Sequence, residues 1–280
     1  MHFANGTIAA LVGVTLAQAA STSAAQATVD AENRYPSVGV LMVWRVDTAG
    51  RPVELRGFAS GTLIRDRAMV TAGHFTAPAT SMGALPPSIR MVASFSPTNP
   101  SEPATWIPVV RFATHPSMPH CPPPPQCDPT DDSLVAPLET GIADVGLVVL
   151  AHAPPGITPA RLAEPGALDR AEGATTTIVG YGTTTALRRG APPDGAQWDG
   201  KRRIRTSSVR RTIDDTWAIW SLPSYVCSGD SGGGIFLRGA DGERLVANVS
   251  DGGRDCRSHN NNNRLDMQAI QRWIDSTLVR

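Results

Sequence analysis

The chain alternates short apolar or β-branched runs with turn-forming residues, and its hydrophobic positions seldom recur at three and four. The run Val38-Gly39-Val40-Leu41-Met42-Val43-Trp44 is of this kind. Thr62-Leu63-Ile64 and Ala68-Met69-Val70-Thr71 flank the polar Arg65-Asp66-Arg67 in a hairpin-like arrangement. Residues 106–112, 175–181, 201–213, 216–222, 234–237 and 245–250 continue the series, and the nearly all-apolar 145–150 reads as a buried strand. Helical period is confined to 266–278. There Met267, Ile270, Trp273, Ile274 and Leu278 share one face, behind Asp266 as a candidate N-cap. Many short strands and one terminal helix predict an all-β sandwich or pair of barrels, without internal repeats.

Composition adds to this picture. With 26 Gly and 24 Pro in 280 residues, turns are favoured over long helices. At 41% hydrophobic and 18% charged, the chain is too apolar to be disordered, and it is long enough for one large or two small domains. The Pro-rich stretches 86–103 and 116–137 read as surface loops, and 151–165 as a linker between two halves. A formal net charge of +0 removes the electrostatic case for a nucleic-acid or anionic-membrane partner. Arg188, Arg189, Lys201, Arg202, Arg203, Arg205, Arg210 and Arg211 cluster nevertheless. In a neutral chain they read as a solvated loop and strand edge rather than a polyanion site. Arginine so outweighs lysine, of which Lys201 is the sole example, that a GC-rich bacterial genome is suggested by association.

The first 27 residues hold no Asp, Glu, Lys or Arg. A short apolar stretch at 8–16 is followed by small residues and two A-x-A sites, Ala17-Gln18-Ala19 and Ala25-Gln26-Ala27. This reads as a secretory signal peptide cleaved within 19–27, although the positive n-region is missing. No later stretch is long and apolar enough for a transmembrane helix, so a soluble, exported protein is expected. Four cysteines in an exported chain suggest two disulfides, in one of three pairings. The simplest joins near neighbours, Cys121 with Cys127 and Cys227 with Cys256. Pro122 to Pro125 count against the first pair, because a straight polyproline run advances ~3.1 Å per residue and would separate the sulfurs. A zinc site of His115, His120, Cys121 and Cys127 lacks a familiar ligand spacing.

The sharpest chemical signal is Gly229-Asp230-Ser231-Gly232-Gly233. Flanking glycines permit the tight turn that exposes a nucleophilic serine and aims backbone N–H groups at a developing oxyanion. The same residues fit the G-x-S-x-G pattern of α/β-hydrolases, whose acid and histidine follow the serine. Here only His259 follows, too close for further βα units. Upstream, His74 closes the run Met69-Val70-Thr71, and Asp144 opens the run 145–150. A serine hydroxyl needs a base, and a carboxylate at the mouth of an apolar strand needs a partner. Each residue alone also suits a plainer role, and Asp131, Asp132 and Asp169 compete as the acid.

Taken together these residues resemble the chymotrypsin/trypsin-like serine proteases, in the bacterial-type secreted form. The order His, Asp, Ser is theirs. Thr71-Ala72-Gly73-His74 is similar to their T-A-A-H segment, Asp144-Val145-Gly146-Leu147 to D-I-A-L, and Val179-Gly180-Tyr181-Gly182-Thr183 to the G-W-G segment. Cys227-Ser228-Gly229-Asp230-Ser231-Gly232-Gly233 is similar to their nucleophile motif, and the helix with Trp273-Ile274 to their ending. The resemblance implies an all-β fold of two packed antiparallel six-stranded barrels with a C-terminal helix. The barrels would span 28–150 and 166–265, joined by 151–165 and followed by a helix in 266–280. It implies a His74, Asp144, Ser231 triad with an oxyanion hole at the N–H groups of Gly229 and Ser231. It further implies a Cys227–Cys256 disulfide, no cofactor or metal, and protein or peptide substrates cleaved by a monomer. A catalytically silent homologue that binds a partner is the alternative, and an esterase on another fold a third.

The likeness has gaps. Phe75 stands where the family has a cysteine after the histidine, and Cys121–Cys127 has no family counterpart. No I-V-G-G-type activation end is visible. In the family a new amino terminus pairs with the acid before the serine, here Asp230, so Thr28 or Val29 is expected to supply the amine. Tyr225 occupies the pocket-base position and Val226, Ser250, Gly252 and Asn262 are expected to line the pocket. Without an acid at its base, small or uncharged side chains are expected before the cleaved bond.

Overall fold

The computed structural model describes residues 27–118, 142–185, 198–212, 217–220, 224–252, 256–257 and 260–279. The leader, Cys121, Cys127, Asp131, Asp132, Arg188, Arg189, His120 and His259 lie outside them. Within these bounds the chain forms β1 (Thr28–Val29), β2 (Val38–Val46), β3 (Pro52–Arg65), β4 (Ala68–Thr71), α1 (Gly73–Met82), β5 (Ile89–Ser94), β6 (Ile107–Thr114) and β7 (Gly146–Leu150). There follow β8 (Thr175–Gly180), β9 (Arg203–Thr212), β10 (Trp217–Trp220), β11 (Gly234–Gly239), β12 (Gly242–Gly252), β13 (Asn260–Arg264) and α2 (Gln268–Leu278).

β2, β3, β4, β7, β6 and β5 close a six-stranded antiparallel barrel. The second sheet runs β1-β9-β10-β13-β12-β11-β8, and a further β8–β9 pairing returns it on itself through six strands. Closure removes open sheet edges and lets one face of every strand fill an interior. Leu41, Leu63, Met69, Ala93, Val148 and Leu150 pack inside the first barrel. Ile178, Val209, Val226, Ile235, Val246 and Val249 pack inside the second. A third cluster joins Val38, Val40, Val145 and Leu147 of the first half to Val179, Tyr181, Phe236 and Leu265 of the second, so the halves share buried apolar surface.

The strands expected from apolar runs are present, most with small shifts at their ends; β3 starts at Pro52, well before the expected run 62–64, and Asp66–Arg67 form the turn between β3 and β4. Four expectations are corrected. The Pro-rich stretch 86–103 contains β5, whose Met91, Val92, Ala93 and Ser94 are buried between β2 and β6. A second helix, α1, follows β4; Pro78 inside it and a weak apolar face hid it from periodicity. Asp266 does not cap α2, which begins behind Met267. Asp266 instead accepts the N–H of Leu168 at 2.7 Å and pairs with Arg264 at 2.7 Å. Finally, the basic stretch is not a solvated edge throughout. Arg202, Arg203 and Arg205 are buried, paired with Asp30, Asp199 and Asp230 respectively. These short-range partners explain how a neutral chain tolerates local clustering of arginine.

Candidate active site

Register brings the candidate residues together. β4 pairs antiparallel with β7, Thr71 opposite Gly146. The residue leading into β7 therefore meets the first turn of α1, directly after β4. Asp144 Oδ1 accepts the His74 backbone N–H at 2.7 Å, and Oδ2 lies 2.8 Å from His74 Nδ1. Ser250 Oγ donates to the same Oδ2 at 2.5 Å. Asp144 is 3% exposed. Burial works to raise its pKa, but the His74 charge and the hydrogen bonds from His74 and Ser250 hold it below the usual carboxylate value. An Asp on Nδ1 leaves His74 Nε2 as the nitrogen able to take a proton. Of the rival acids, Asp169 is largely exposed and pairs with Arg264.

Around Asp144 are residues that the sequence did not single out. Asn263 Oδ1 accepts the Asp144 N–H at 2.8 Å. Asn248 Nδ2 reaches the carbonyls of Asp144 at 3.4 Å and Thr71 at 3.5 Å. Asn248 and Asn263 face each other across β12 and β13. The run of asparagines at 260–263 was the available signal, but only the strand register shows which one reaches the acid.

Ser231 sits on a turn pressed against β3 and the end of β4. Ser60 N–H donates to Ser231 O at 2.9 Å, and Gly232 N–H to Val249 O at 2.7 Å. Gly232 has φ 81° and is so close to Thr71 Oγ1, Ser60 O and Ala72 N that no Cβ fits. The nucleophile turn thus rests two residues from His74. Ser231 Oγ donates to Ser250 O at 3.3 Å, so Ser250 touches the serine through its carbonyl and the acid through its hydroxyl.

Gly229, at φ 90°, has the Phe58 ring where a Cβ would stand. Phe58 in turn stacks on Trp198, ring centroids 4.4 Å apart. Ser60 Oγ donates to Gly229 O at 2.8 Å and accepts from Tyr181 N–H at 2.9 Å. Among the described residues, neither the Gly229 N–H nor the Ser231 N–H has an acceptor. Two uncommitted donors beside a serine hydroxyl are the groups an oxyanion requires.

At the expected pocket, Val226 is buried and Gly252 lies against it, a Cβ there falling 3.1 Å from Val226 Cγ1. Tyr225 is partly exposed with φ 52°, a left-handed conformation uncommon outside glycine. Asn262 is buried and spends its amide within β13, accepting from Asn260 Nδ2 at 2.5 Å and donating to Asn260 O at 3.1 Å. Cys227 and Cys256 are disulfide-bonded, tying the stretch before the nucleophile to the connection between β12 and β13. Two hollows of about 340 and 330 Å³ lie elsewhere, along residues 158–164, and touch none of these groups. His115 packs edge-on against Trp273, and among the described residues no cluster of His, Cys, Asp and Glu could hold a metal.

The family model for trypsin matches residues 44–274. The chain belongs to the trypsin family. Its fold is similar to the atomic-resolution structure of HBP, with TM-score 0.59 and 15% identity over 91% of this chain and 96% of that one. It is likewise similar to GrC, with TM-score 0.57 and 16% identity over 91% and 99%. No curated protein matches it in sequence.

With residues 1–27 still attached, Thr28 and Val29 form β1, paired with Ile204 and Arg203 of β9. Arg202 holds the next residues, its Nε donating to Asp30 Oδ2 at 2.9 Å and its Nη2 to Asn33 Oδ1. Asp230 pairs instead with Arg205 Nη2 at 2.9 Å, both side chains almost wholly buried. It also accepts the N–H groups of Gly182 at 2.8 Å and Cys227 at 2.9 Å. Burial pulls the Arg205 pKa down against the opposing pull of Asp230. In the untrimmed chain a side chain of β9 therefore already pairs with Asp230.

Proposed function

We propose that this chain is an exported serine endopeptidase that cleaves protein or peptide substrates through an acyl-enzyme. Ser231 Oγ attacks the carbonyl carbon and gives its proton to His74 Nε2. Asp144, on Nδ1, fixes the tautomer and stabilises the imidazolium. The N–H groups of Gly229 and Ser231 stabilise the oxyanion, each donor being worth roughly 10²–10³ in rate. His74 then protonates the leaving amine, the peptide bond breaks, and water repeats the sequence to release the acid. The chemistry requires no metal. The observation that carries the reading is the connected set His74–Asp144–Ser250–Ser231, assembled from four separate segments of a trypsin-family chain.

Residues 1–27 are proposed as the export signal, and the second half of the chain as the barrel carrying the nucleophile. Hydrolysis of an unstructured protein such as casein tests the reading. Ser231→Ala should lower kcat on the order of 10⁶-fold while leaving the fold unchanged by circular dichroism. A folded wild-type protein with no hydrolysis on any peptide mixture would favour the silent homologue instead.

A further inference from the structure

Asp144 lies in the apolar surface shared by the two halves, between Ala143 and Val145 of the joint cluster. It precedes β7, which starts at Gly146, so strand pairing does not provide for its main chain. A buried peptide group still needs partners for its N–H and its carbonyl. Here they are side chains from the second half. Asn263 Oδ1 accepts the Asp144 N–H at 2.8 Å, and Asn248 Nδ2 lies 3.4 Å from the Asp144 carbonyl oxygen. The same Nδ2 lies 3.5 Å from the carbonyl oxygen of Thr71, three residues before His74. The two asparagines therefore reach both main-chain polar groups of the acid and the strand that leads into the histidine.

Register explains the convergence, because side chains along a strand alternate between its faces. Val249 packs inside the second barrel, so its neighbour Asn248 points the other way, toward the first half. Leu265 belongs to the joint cluster, and Asn263, two residues earlier, shares its face. Asn248 and Asn263 stand directly opposite each other across β12 and β13, and both are almost wholly buried. Each has committed one end of its amide, Asn263 its oxygen and Asn248 its nitrogen. The ends left over, Asn248 Oδ1 and Asn263 Nδ2, are an acceptor and a donor, both buried without a partner among the described residues. Directly opposed residues hold their Cβ atoms about 4.5–5.5 Å apart, within reach of an amide-to-amide hydrogen bond after a small side-chain rotation. Leaving that bond unmade would cost free energy at two buried atoms at once.

We propose that Asn248 and Asn263 are positioning residues that bond to each other and act as one latch, holding Asp144 so that both of its carboxylate oxygens meet His74. The inference rests on the endopeptidase reading and assigns supports to its acid. Asp144 makes two contacts at once, Oδ1 with the His74 backbone N–H at 2.7 Å and Oδ2 with His74 Nδ1 at 2.8 Å. Both are met only over a narrow range of main-chain placements, and a displacement of about 1 Å costs up to about 10²-fold in rate. Ser250 Oγ, on the same strand as Asn248, grips the carboxylate, while the two amides grip the main chain behind it. A leucine at either position would fill a similar volume but leave a polar group of Asp144 without its partner.

The test compares the full-length protein with Asn248→Leu, Asn263→Leu and the double variant, reading the His74 ring titration by NMR together with kcat and KM on one peptide. In either single variant the His74 pKa should fall, because a displaced carboxylate stabilises the imidazolium less. Asp251, the other carboxylate that interacts with the His74 charge, is unaltered in all of them, so the fall reports on Asp144. kcat should drop about 10- to 100-fold with KM almost unchanged. The double variant should lose no more than the worse single one, as members of one unit do. Where a leucine variant does not fold, Asn248→Ser or Asn263→Ser, too short to reach the acid, takes its place with the same expectations. A purely structural role would lower the melting temperature and leave the His74 pKa and kcat at their wild-type values; that result overturns the proposal, as does a double variant whose loss is the product of the two single losses. Labelling of Ser231 by a fluorophosphonate separates the two failures. A labelled enzyme whose variants behave as wild type loses only this inference, whereas an unlabelled, inactive wild type loses the endopeptidase reading, and the NMR titration alone then decides the latch.

Discussion

Asp144 stays ionised although it is almost sealed from solvent, because burial is outweighed by the His74 charge and by hydrogen bonds from His74 and Ser250. Its folded pKa is depressed, so its contribution to stability is complete above the ordinary carboxylate range and is lost as pH falls through the lower folded value. Asp144→Asn should therefore flatten the acid limb of stability against pH, measured by denaturant unfolding between pH 2 and 5. It should also lower kcat by about 10⁴, because the amide favours the wrong tautomer. Ser60 makes a second test. Its Oγ bridges Gly229 O and Tyr181 N–H, so Ser60→Ala leaves a buried donor without a partner at a cost of about 1–3 kcal/mol. Part of that loss should fall on kcat rather than KM, because Gly229 carries an oxyanion donor. Asp144, His74 and Ser231 were legible because each sits in a short, distinctive segment. Ser60, Asn248, Asn263 and Arg205 were not, because their partners come from strands far away in the chain and only register supplies them.

At the level of elements, apolar runs located most strands, since closed barrels bury one face of each. Failures came where burial is not apolar. β13 is four asparagines and an arginine, all buried, and backbone pairing with β10 and β12 holds it in the sheet without any alternation of hydrophobic positions. β5 was concealed by flanking prolines, and α1 by Pro78. The Cys227–Cys256 bond joins the nucleophile turn to this polar strand pair. Replacing both cysteines with serine should cost ~3–4 kcal/mol, read as a lower denaturation midpoint, if the unfolded chain gains the corresponding freedom.

For the whole molecule, two of the buried arginine pairs set how the site is supported. Arg202 anchors the segment at Asp30 and Asn33, and Arg205 neutralises Asp230 beneath the nucleophile. With that place filled from within the fold, activity should not depend on a free amine at residue 28 or 29. Enzyme blocked by N-terminal acetylation or by a short extension should match unblocked enzyme in kcat/KM. Arg205→Met should instead leave Asp230 buried and unpaired, costing about 3–5 kcal/mol in stability by denaturant unfolding. The central claim is that Ser231 is a nucleophile activated by His74, and the most direct measurement is peptide mapping after fluorophosphonate treatment. The expected result is one adduct, on the peptide containing Ser231, in wild-type protein and almost none in a folded His74→Ala variant. An unmodified Ser231 in folded wild-type protein, or equal modification without His74, would contradict it.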